Sequence, residues 1–114
     1  MSETIAAIST PVAAGGIGVI RISGDNAIET AQKVICTTSG KALTSMKGYT
    51  AAHGKVLFDG EAIDECVALV FRAPKSYTGE DVVEISCHGG ILVTNRVLEA
   101  VLKAGATPAG PGEF

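Results

Sequence analysis

The sequence contains no cluster of lysine or arginine residues. Its 9 basic residues are outnumbered by 12 acidic ones, and the formal net charge of the 114 residues is -3. A groove that follows a nucleic acid backbone needs clustered basic side chains. The chain is therefore not predicted to form such a groove by itself, and another segment would have to hold any RNA.

Long apolar runs are also absent. No stretch approaches the roughly 18 consecutive apolar residues that a transmembrane helix requires. The first residues, MSETIAAIST, include the acidic Glu3 and lack the basic start and apolar run of a secretory signal peptide. These features predict a soluble, cytoplasmic protein without membrane contact.

The usual residues of a metal or covalent site are few. The three cysteines form no CxxC pair, no histidine lies at a metal-ligand spacing, and all three thiols are predicted to be buried. Cys87 adjoins His88, but neighbours on a strand point to opposite faces and cannot form a catalytic dyad. The sequence shows no catalytic acid, base, nucleophile or metal site, so it predicts no reaction for this chain alone.

A nucleotide phosphate loop is missing as well. The glycines of GGIG follow the flexible turn PVAAGG and precede a strand, whereas a phosphate loop follows a strand and opens a helix. The lysine that such a loop carries is also absent. GTP binding is therefore not predicted for these residues.

What is present is a single domain with 46% hydrophobic residues. Short apolar or alternating runs predict strands, and two segments have helical spacing. The resulting order, β-β-α-β-β-β-α-β, is too irregular for a doubly wound parallel sheet and indicates an α+β fold, a mixed sheet with two main helices. The predicted strands cover residues 4–8, 17–24, 49–58, 65–71, 81–88 and 106–109.

The helices and connections have their own signals. The first helix is predicted to run to Ile35 with Ser23 or Asp25 as its N-cap, and residues 36–47 to be a mobile connecting loop. A hairpin turn is expected at residues 59–61. Gly89 and Gly90 should open the second helix, which Lys103 and Gly105 end. Its predicted buried stripe is Ile91, Val93, Val97, Leu98, Val101 and Leu102.

The strand near residues 81–88 carries the strongest functional signal. Alternation places Val83, Ile85 and Cys87 on one face, and Glu84 on the other with Val82, Ser86 and His88. A carboxylate among apolar neighbours needs a cation or several hydrogen-bond donors. Glu84 is therefore a candidate binding residue.

Arg21 breaks a local pattern in the same way, because it lies within a strand otherwise made of Ile, Val and Gly. Two readings are open. Arg21 and Glu84 form an internal salt bridge between adjacent strands, or lie at an open edge in water. Alternatively they face one pocket, where Arg21 binds an anionic or carbonyl group and Glu84 accepts from paired donors of a planar heterocycle.

His88 has similar alternatives, since it precedes the glycines that open a helix. A histidine at a strand end is more common than a catalytic base. Backbone N–H groups at a helix start can also bind an anion. The backbone is the stronger candidate of the two.

Three segments carry a resemblance to a known family. TIAAISTPVAAGGIGVIRISG, APKSYTGEDVVEISCHGG and the terminal PGEF resemble the amino-terminal domain of the bacterial tRNA-modification GTPases of the MnmE, or TrmE, family. The resemblance spans nearly the whole chain. It implies that residues 1–114 are one amino-terminal domain of a larger GTPase whose helical and GTPase domains are absent here.

The resemblance also implies a function. Family members have a folate-binding and homodimerising domain similar in fold to that of the glycine-cleavage T protein. The arginine of RISG and the last glutamate of GEDVVE bind 5-formyltetrahydrofolate or a related tetrahydrofolate, and these positions are Arg21 and Glu84. The full protein modifies the wobble uridine of tRNA with the flavin-dependent partner MnmG, and its GTPase domain uses GTP, magnesium and potassium.

Two hypotheses about the domain follow from the resemblance. In the first, it holds the folate that supplies a carbon to the tRNA. In the second, it is a purely structural homodimerisation module with a vestigial pocket. An Arg21 and Glu84 pair that faces one cavity would favour the first.

Overall fold

One sheet organises the chain. In a computed structural model, the described residues, 3–9, 17–76 and 78–110, form a seven-stranded sheet and two α-helices. The predicted PVAAGG turn lies outside these residues. The helices are α1 (Ala27–Val34) and α2 (Gly90–Lys103). The strands are β1 (Ile5–Ile8), β2 (Gly18–Ser23), β3 (Ile35–Thr37), β4 (Thr50–Phe58), β5 (Glu61–Phe71), β6 (Val82–Cys87) and β7 (Thr107–Pro108).

The sheet is mixed, with strand order β3-β4-β5-β6-β2-β1-β7. Every neighbouring pair is antiparallel except β1 and β7, which are parallel. The predicted α+β class is therefore confirmed, and β2 and β5 are interior strands as expected. The similarity of this fold to the glycine-cleavage T protein stays a prediction.

The core lies between the helices and one face of the sheet. Alternate residues of the central strands, including Ile20, Ile22, Val83 and Ile85, are fully buried there. Apolar residues of both helices pack against the same cluster. Burial of this single face by two helices is the main source of the hydrophobic stabilisation. The opposite face of the sheet carries the half-buried side chains that form the candidate site.

The β4–β5 hairpin turns at Asp59 and Gly60, as predicted. Both have positive φ angles, 52° and 84°, as a two-residue type I′ hairpin turn requires. Strand β5 begins at Glu61, earlier than the predicted residue 65. A register shift between Val56 and Leu57 lets the polar start of β5 remain paired with β4. Because the shift interrupts the alternation, the sequence pattern does not reveal these first residues of the strand.

The prediction of a simple connecting loop at residues 36–47 is wrong in part. The segment includes most of β3 and a short 3-10 helix at Leu43–Ser45. Leu43 is fully buried, and its N–H donates to Gln32 Oε1 at 2.5 Å. Arg72 donates to the carbonyl oxygens of Met46 and Thr44, each at 2.8 Å. These contacts attach the segment to the domain.

Two predictions about the helices are wrong, one on the N-cap of α1 and one on a buried residue of α2. Asn26, rather than Ser23 or Asp25, is the N-cap of α1, and the hydroxyl of Ser23 instead bonds Thr78. Ile91 was predicted to be buried in α2, but it is 51% exposed in the first turn. Thr94 takes the buried position because Gly18 leaves room for it, since a Cβ at Gly18 would lie 2.3 Å from Thr94 Oγ1.

Candidate functional site

Arg21 and Glu84 are directly opposite each other on the adjacent strands β2 and β6. The Arg21 Nε and Nη2 groups donate to Glu84 Oε2 at 2.9 and 2.6 Å. The salt bridge predicted as one reading of the sequence is therefore present. Both strands are interior, so the reading that places the pair at an open edge of the sheet is wrong.

The pair is partly desolvated. The side chains of Arg21 and Glu84 are 19% and 20% exposed. Removing either charge from water is costly, and the opposite charge offsets much of that cost at this distance. Among the described residues, both hydrogen bonds to the carboxylate reach Oε2 and none reaches Oε1. Arg21 therefore fixes the carboxylate while Oε1 can accept from a ligand.

Most side chains around the pair, on the face of the sheet opposite the helices, are apolar. Ala7 is the cross-strand partner of Arg21, and Leu69 is that of Glu84. Val19, Val67 and Phe71 on this face are half-buried and apolar, Val82 is fully buried, and Ser23 and Ser86 are the polar neighbours. The arrangement combines a fixed carboxylate with a mainly apolar surface, which suits a planar ligand that carries hydrogen-bond donors.

The turn before β6 reaches the same face. Ser23 Oγ and Thr78 Oγ1 lie 2.7 Å apart, and Ser23 is only 1% exposed. Gly79 in this turn has a positive φ angle of 83°, which glycine adopts without strain. The bond between Ser23 and Thr78 was missed at the sequence level, because only the pairing of β2 with β6 brings them together.

Clefts of about 500, 320 and 420 Å³ are among those that the described residues form, and neither Arg21 nor Glu84 lines any of these three. The pair instead lies on the face of the sheet that neither described helix covers.

A carboxylate of the chain itself, that of Asp64, binds the backbone N–H groups at the start of α2. Asp64 Oδ2 accepts from the N–H groups of His88 and Gly89 at 2.7 and 2.9 Å. A carboxylate at this position satisfies free N–H groups and interacts favourably with the helix dipole. The predicted anion-binding role of the backbone is thus filled by Asp64, a residue that the sequence analysis missed. His88 itself is exposed.

We expect Asp64→Ala to lower the free energy of unfolding by about 1–2 kcal/mol, because it removes this capping carboxylate. Urea denaturation followed by circular dichroism measures the change. Glu61→Ala is the matched control, since Glu61 is an exposed carboxylate on the same strand. Equal stability of the two variants would contradict the capping role.

Two of the three cysteines are buried thiols. Cys66 and Cys87 are cross-strand partners, and both are fully buried, whereas Cys36 is exposed against the prediction. Burial, with a smaller contribution from the Asp64 charge, raises the thiol pKa from 9.0 to about 11 for Cys66. Burial, with smaller contributions from Asp64 and Cys66, raises the pKa of the Cys87 thiol to about 12. Both thiols stay protonated near neutral pH.

We expect the stability of the protein to fall as the pH rises above 9. Cys66 and Cys87 remain protonated when folded up to about pH 11 and 12, but they ionise near 9.0 when unfolded. The unfolded state then binds fewer protons, which lowers the free energy of unfolding by up to roughly 1.4 kcal/mol per pH unit for each thiol. Urea titrations between pH 8 and 11 measure the slope.

Two variants test the origin of that slope. Cys66→Ala should reduce it by about half, whatever its effect on stability at pH 8, because one of the two shifted thiols is gone. Cys36→Ser should leave it unchanged, since Cys36 is exposed. A slope that survives Cys66→Ala in full would contradict the assignment.

Within residues 3–9, 17–76 and 78–110, His, Cys, Asp and Glu side chains form no group of three that could hold a metal ion. In the same ranges, neither helix is long and apolar enough to cross a membrane.

Comparisons with known proteins identify the family. The model of the family described as "GTP-binding protein TrmE N-terminus" matches residues 4–114. The chain is 52% identical over 116 residues to the tRNA modification GTPase MnmE of Carboxydothermus hydrogenoformans, covering 100% of this chain and 25% of that protein. It is 51% identical over 114 residues to that of Lachnoclostridium phytofermentans, covering 99% and 25%.

The MnmE of Symbiobacterium thermophilum is 51% identical over 113 residues, covering 98% of this chain and 25% of the relative. The chain thus spans about a quarter of the length of the curated relatives it matches. The match of the family model across almost every residue agrees with the motifs around Arg21 and Glu84. The chain therefore belongs to the family of amino-terminal domains of the tRNA modification GTPase MnmE, also called TrmE.

Proposed function

We propose that this chain is the tetrahydrofolate-binding and dimerisation domain of a cytoplasmic GTPase that modifies the wobble uridine of tRNA. The observation that carries the proposal is the Arg21–Glu84 pair on the open, apolar face of the sheet. Membership of the MnmE family supports it. The Arg21 and Glu84 positions are those that the resemblance implied for the folate.

The chemistry of the pair fits a folate derivative such as 5-formyltetrahydrofolate. A carboxylate can accept from the ring N–H and amino group of a pterin, and such charge-assisted bonds are stronger than neutral ones. Arg21 holds the carboxylate in place, while Leu69 and the apolar residues beside it offer a flat contact for the ring. When bound, the folate supplies the carbon that is added to the uridine.

Binding of the folate by the purified chain tests this proposal. Calorimetric titration with 5-formyltetrahydrofolate should give saturable binding with one ligand per chain. Unmodified tetrahydrofolate, in a parallel titration, separates recognition of the ring from recognition of the formyl group. If neither compound binds, the proposed function is contradicted.

The open face also supports dimerisation. Half-buried apolar residues on a sheet face that neither described helix covers are suited to burial against a second copy. A second copy on this face would also lie against the Arg21–Glu84 pair. Dimerisation and folate binding would then depend on the same surface.

We expect the chain to sediment as a dimer at micromolar concentration and Val67→Asp to shift it toward the monomer. Val67 is a half-buried residue of this face, so a charge there would be desolvated on association. Leu92→Asp is the matched control, because Leu92 is 78% exposed on α2, on the other side of the sheet. Dissociation by Leu92→Asp and not by Val67→Asp would place the interface elsewhere.

The second candidate is a purely structural homodimerisation module with a vestigial pocket. The salt bridge favours it in one respect, since Arg21 and Glu84 already satisfy much of each other's charge. That candidate predicts a dimer without affinity for any tetrahydrofolate. The calorimetric and sedimentation experiments together separate the two functions.

The relatives are about four times as long as this chain. We propose that the remaining domains bind GTP with magnesium and potassium, and that the full-length dimer acts on tRNA with the flavin-dependent partner MnmG. In that assembly, this domain would hold the one-carbon donor and join two copies of the GTPase. Its own residues supply binding and position rather than catalysis.

A further inference from the structure

A basic cleft lies at the opposite edge of the sheet from β7. Its volume is about 500 Å³, within the range of sites for nucleotide-sized ligands. One wall is the first half of β4, and the other is the segment between β3 and β4. Neither Arg21 nor Glu84 lines it, so the cleft is separate from the proposed folate site.

The cleft exists because β3 is short. Strand β3 pairs with β4 only from Gly54 to Val56, and the last contact is the Thr38 N–H bond to the His53 carbonyl oxygen, 2.8 Å. Before that point, no described strand pairs with the outer edge of β4. Backbone groups two residues apart point to the same side of a strand, so the N–H of Ala51 points to this open edge.

Cationic and hydroxyl side chains converge on the cleft. Lys41, Lys47 and His53 line it together with Thr38, Ser39 and Ser45. No carboxylate is among the described residues that line it, although the chain as a whole has a net charge of -3. Neither lysine forms a salt bridge with another described residue. The local charge is therefore available to an anion.

Threonine hydroxyls hold the backbone at the two lysines. Thr37 Oγ1 donates to the carbonyl oxygen of Lys41 at 2.7 Å, and Thr50 Oγ1 donates to that of Lys47 at 2.5 Å. Thr38 Oγ1 and His53 Nδ1 lie 2.7 Å apart on the adjoining wall. These bonds fix the backbone from which both exposed lysine side chains extend.

We propose that this cleft binds a phosphate group. Ammonium, hydroxyl and backbone N–H donors without a carboxylate match the several acceptor oxygens of a phosphate. The phosphate can belong to a free mononucleotide or to a nucleic acid backbone, which present the same chemistry to the cleft. The sequence did not indicate such a site, because six positions separate the lysines and only the fold brings them together.

The test uses the 114-residue chain with three probes, namely inorganic phosphate, uridine monophosphate and a short oligouridylate. All titrations are done at matched ionic strength. We expect the amide resonances of Ala51 and His53 to shift with at least one probe. Tighter binding of the oligouridylate with a strong salt dependence indicates a nucleic acid backbone, and equal or tighter binding of the monophosphate indicates a free nucleotide.

Two double variants separate the cleft from general charge effects. Lys41→Ala with Lys47→Ala should weaken binding by about tenfold or more. Lys55→Ala with Lys75→Ala removes the same charge from exposed lysines outside the cleft and should change binding by less than about twofold. Melting temperatures show whether both variants remain folded.

Three outcomes would overturn the proposal. They are the absence of binding by all three probes, an equal loss of affinity in the two double variants, and resonance shifts that avoid the cleft. The shifts are measured on the unaltered protein, so the proposal can be tested even if a variant is unstable. Because the cleft shares no residue with the Arg21–Glu84 pair, failure here leaves the folate proposal intact, and the reverse also holds.

Discussion

Replacement of Gly24 by alanine is expected to lower the free energy of unfolding by about 3–5 kcal/mol, the largest effect of any substitution considered. Gly24 has a φ angle of 141°, which residues with a Cβ rarely adopt. A Cβ there would also lie 2.6 Å from Thr4 Cα and 2.9 Å from the Glu3 carbonyl oxygen. These are backbone atoms of the segment that enters β1, so the clash cannot be relieved by a side-chain rotation.

The substitution at Gly24 would also disturb the elements to which its backbone is hydrogen-bonded. The Gly24 N–H donates to the Asp81 carbonyl oxygen at 3.0 Å, and its own carbonyl oxygen accepts from Ala27 at the start of α1. Movement of the backbone at Gly24 would therefore disturb the β2–β6 edge of the candidate site as well as the helix.

Gly40→Ala is the matched control for this substitution. Gly40 also has a positive φ angle, 81°, but no other atom lies within 4 Å of the position of an added Cβ. Its replacement should cost only about 1 kcal/mol, from backbone strain alone. Because the chain lacks tryptophan, urea denaturation is best followed by circular dichroism. Equal costs at the two positions would show that the contact with β1 is unimportant.

The second large effect is expected at the folate site. Glu84→Gln should weaken the binding of 5-formyltetrahydrofolate by about ten- to a hundredfold, or roughly 1.5–3 kcal/mol for a charge-assisted hydrogen bond. The substitution preserves size and shape. It removes the charge and replaces one acceptor oxygen with a donor, so the paired donors of the pterin would meet an N–H group.

Equilibrium dialysis with labelled ligand measures this loss, and melting temperatures provide the control. Arg21→Ala should also weaken binding, but it leaves Glu84 partly buried without its cation and is expected to destabilise the fold. Glu84→Gln is therefore the cleaner variant. A sharply lower melting temperature with unchanged affinity would show that the pair is only a structural salt bridge.

The sequence predicted which face Glu84 occupies but could not establish its partner. Alternation along residues 82–88 is a local property, and the burial of Val83, Ile85 and Cys87 confirms it. The pairing of β2 with β6 joins residues 63 positions apart, and local periodicity carries no information about such contacts. The salt bridge was consequently one reading among several until the strand order was known.

The segment between α1 and β4 escaped prediction for a related reason. Its contacts are made by single residues, namely buried Leu43 and the hydrogen bonds of Gln32 and Arg72, which follow no helical or strand period. The same applies to Asp64, whose capping role depends on a residue of β5 reaching the start of α2. Long-range polar contacts of this kind leave no pattern in the sequence.

Resonance mapping of the folate-bound chain tests the central claim most directly, because it locates the ligand without altering any residue. When 5-formyltetrahydrofolate is added to isotope-labelled protein, the amide resonances of Val19, Arg21, Glu84 and Ser86 should shift together and saturate at one ligand per chain. These residues lie on adjacent positions of β2 and β6 on the open face. Saturable binding whose shifts avoid both strands, or no shift at millimolar ligand, would contradict the assignment of this face as the folate site.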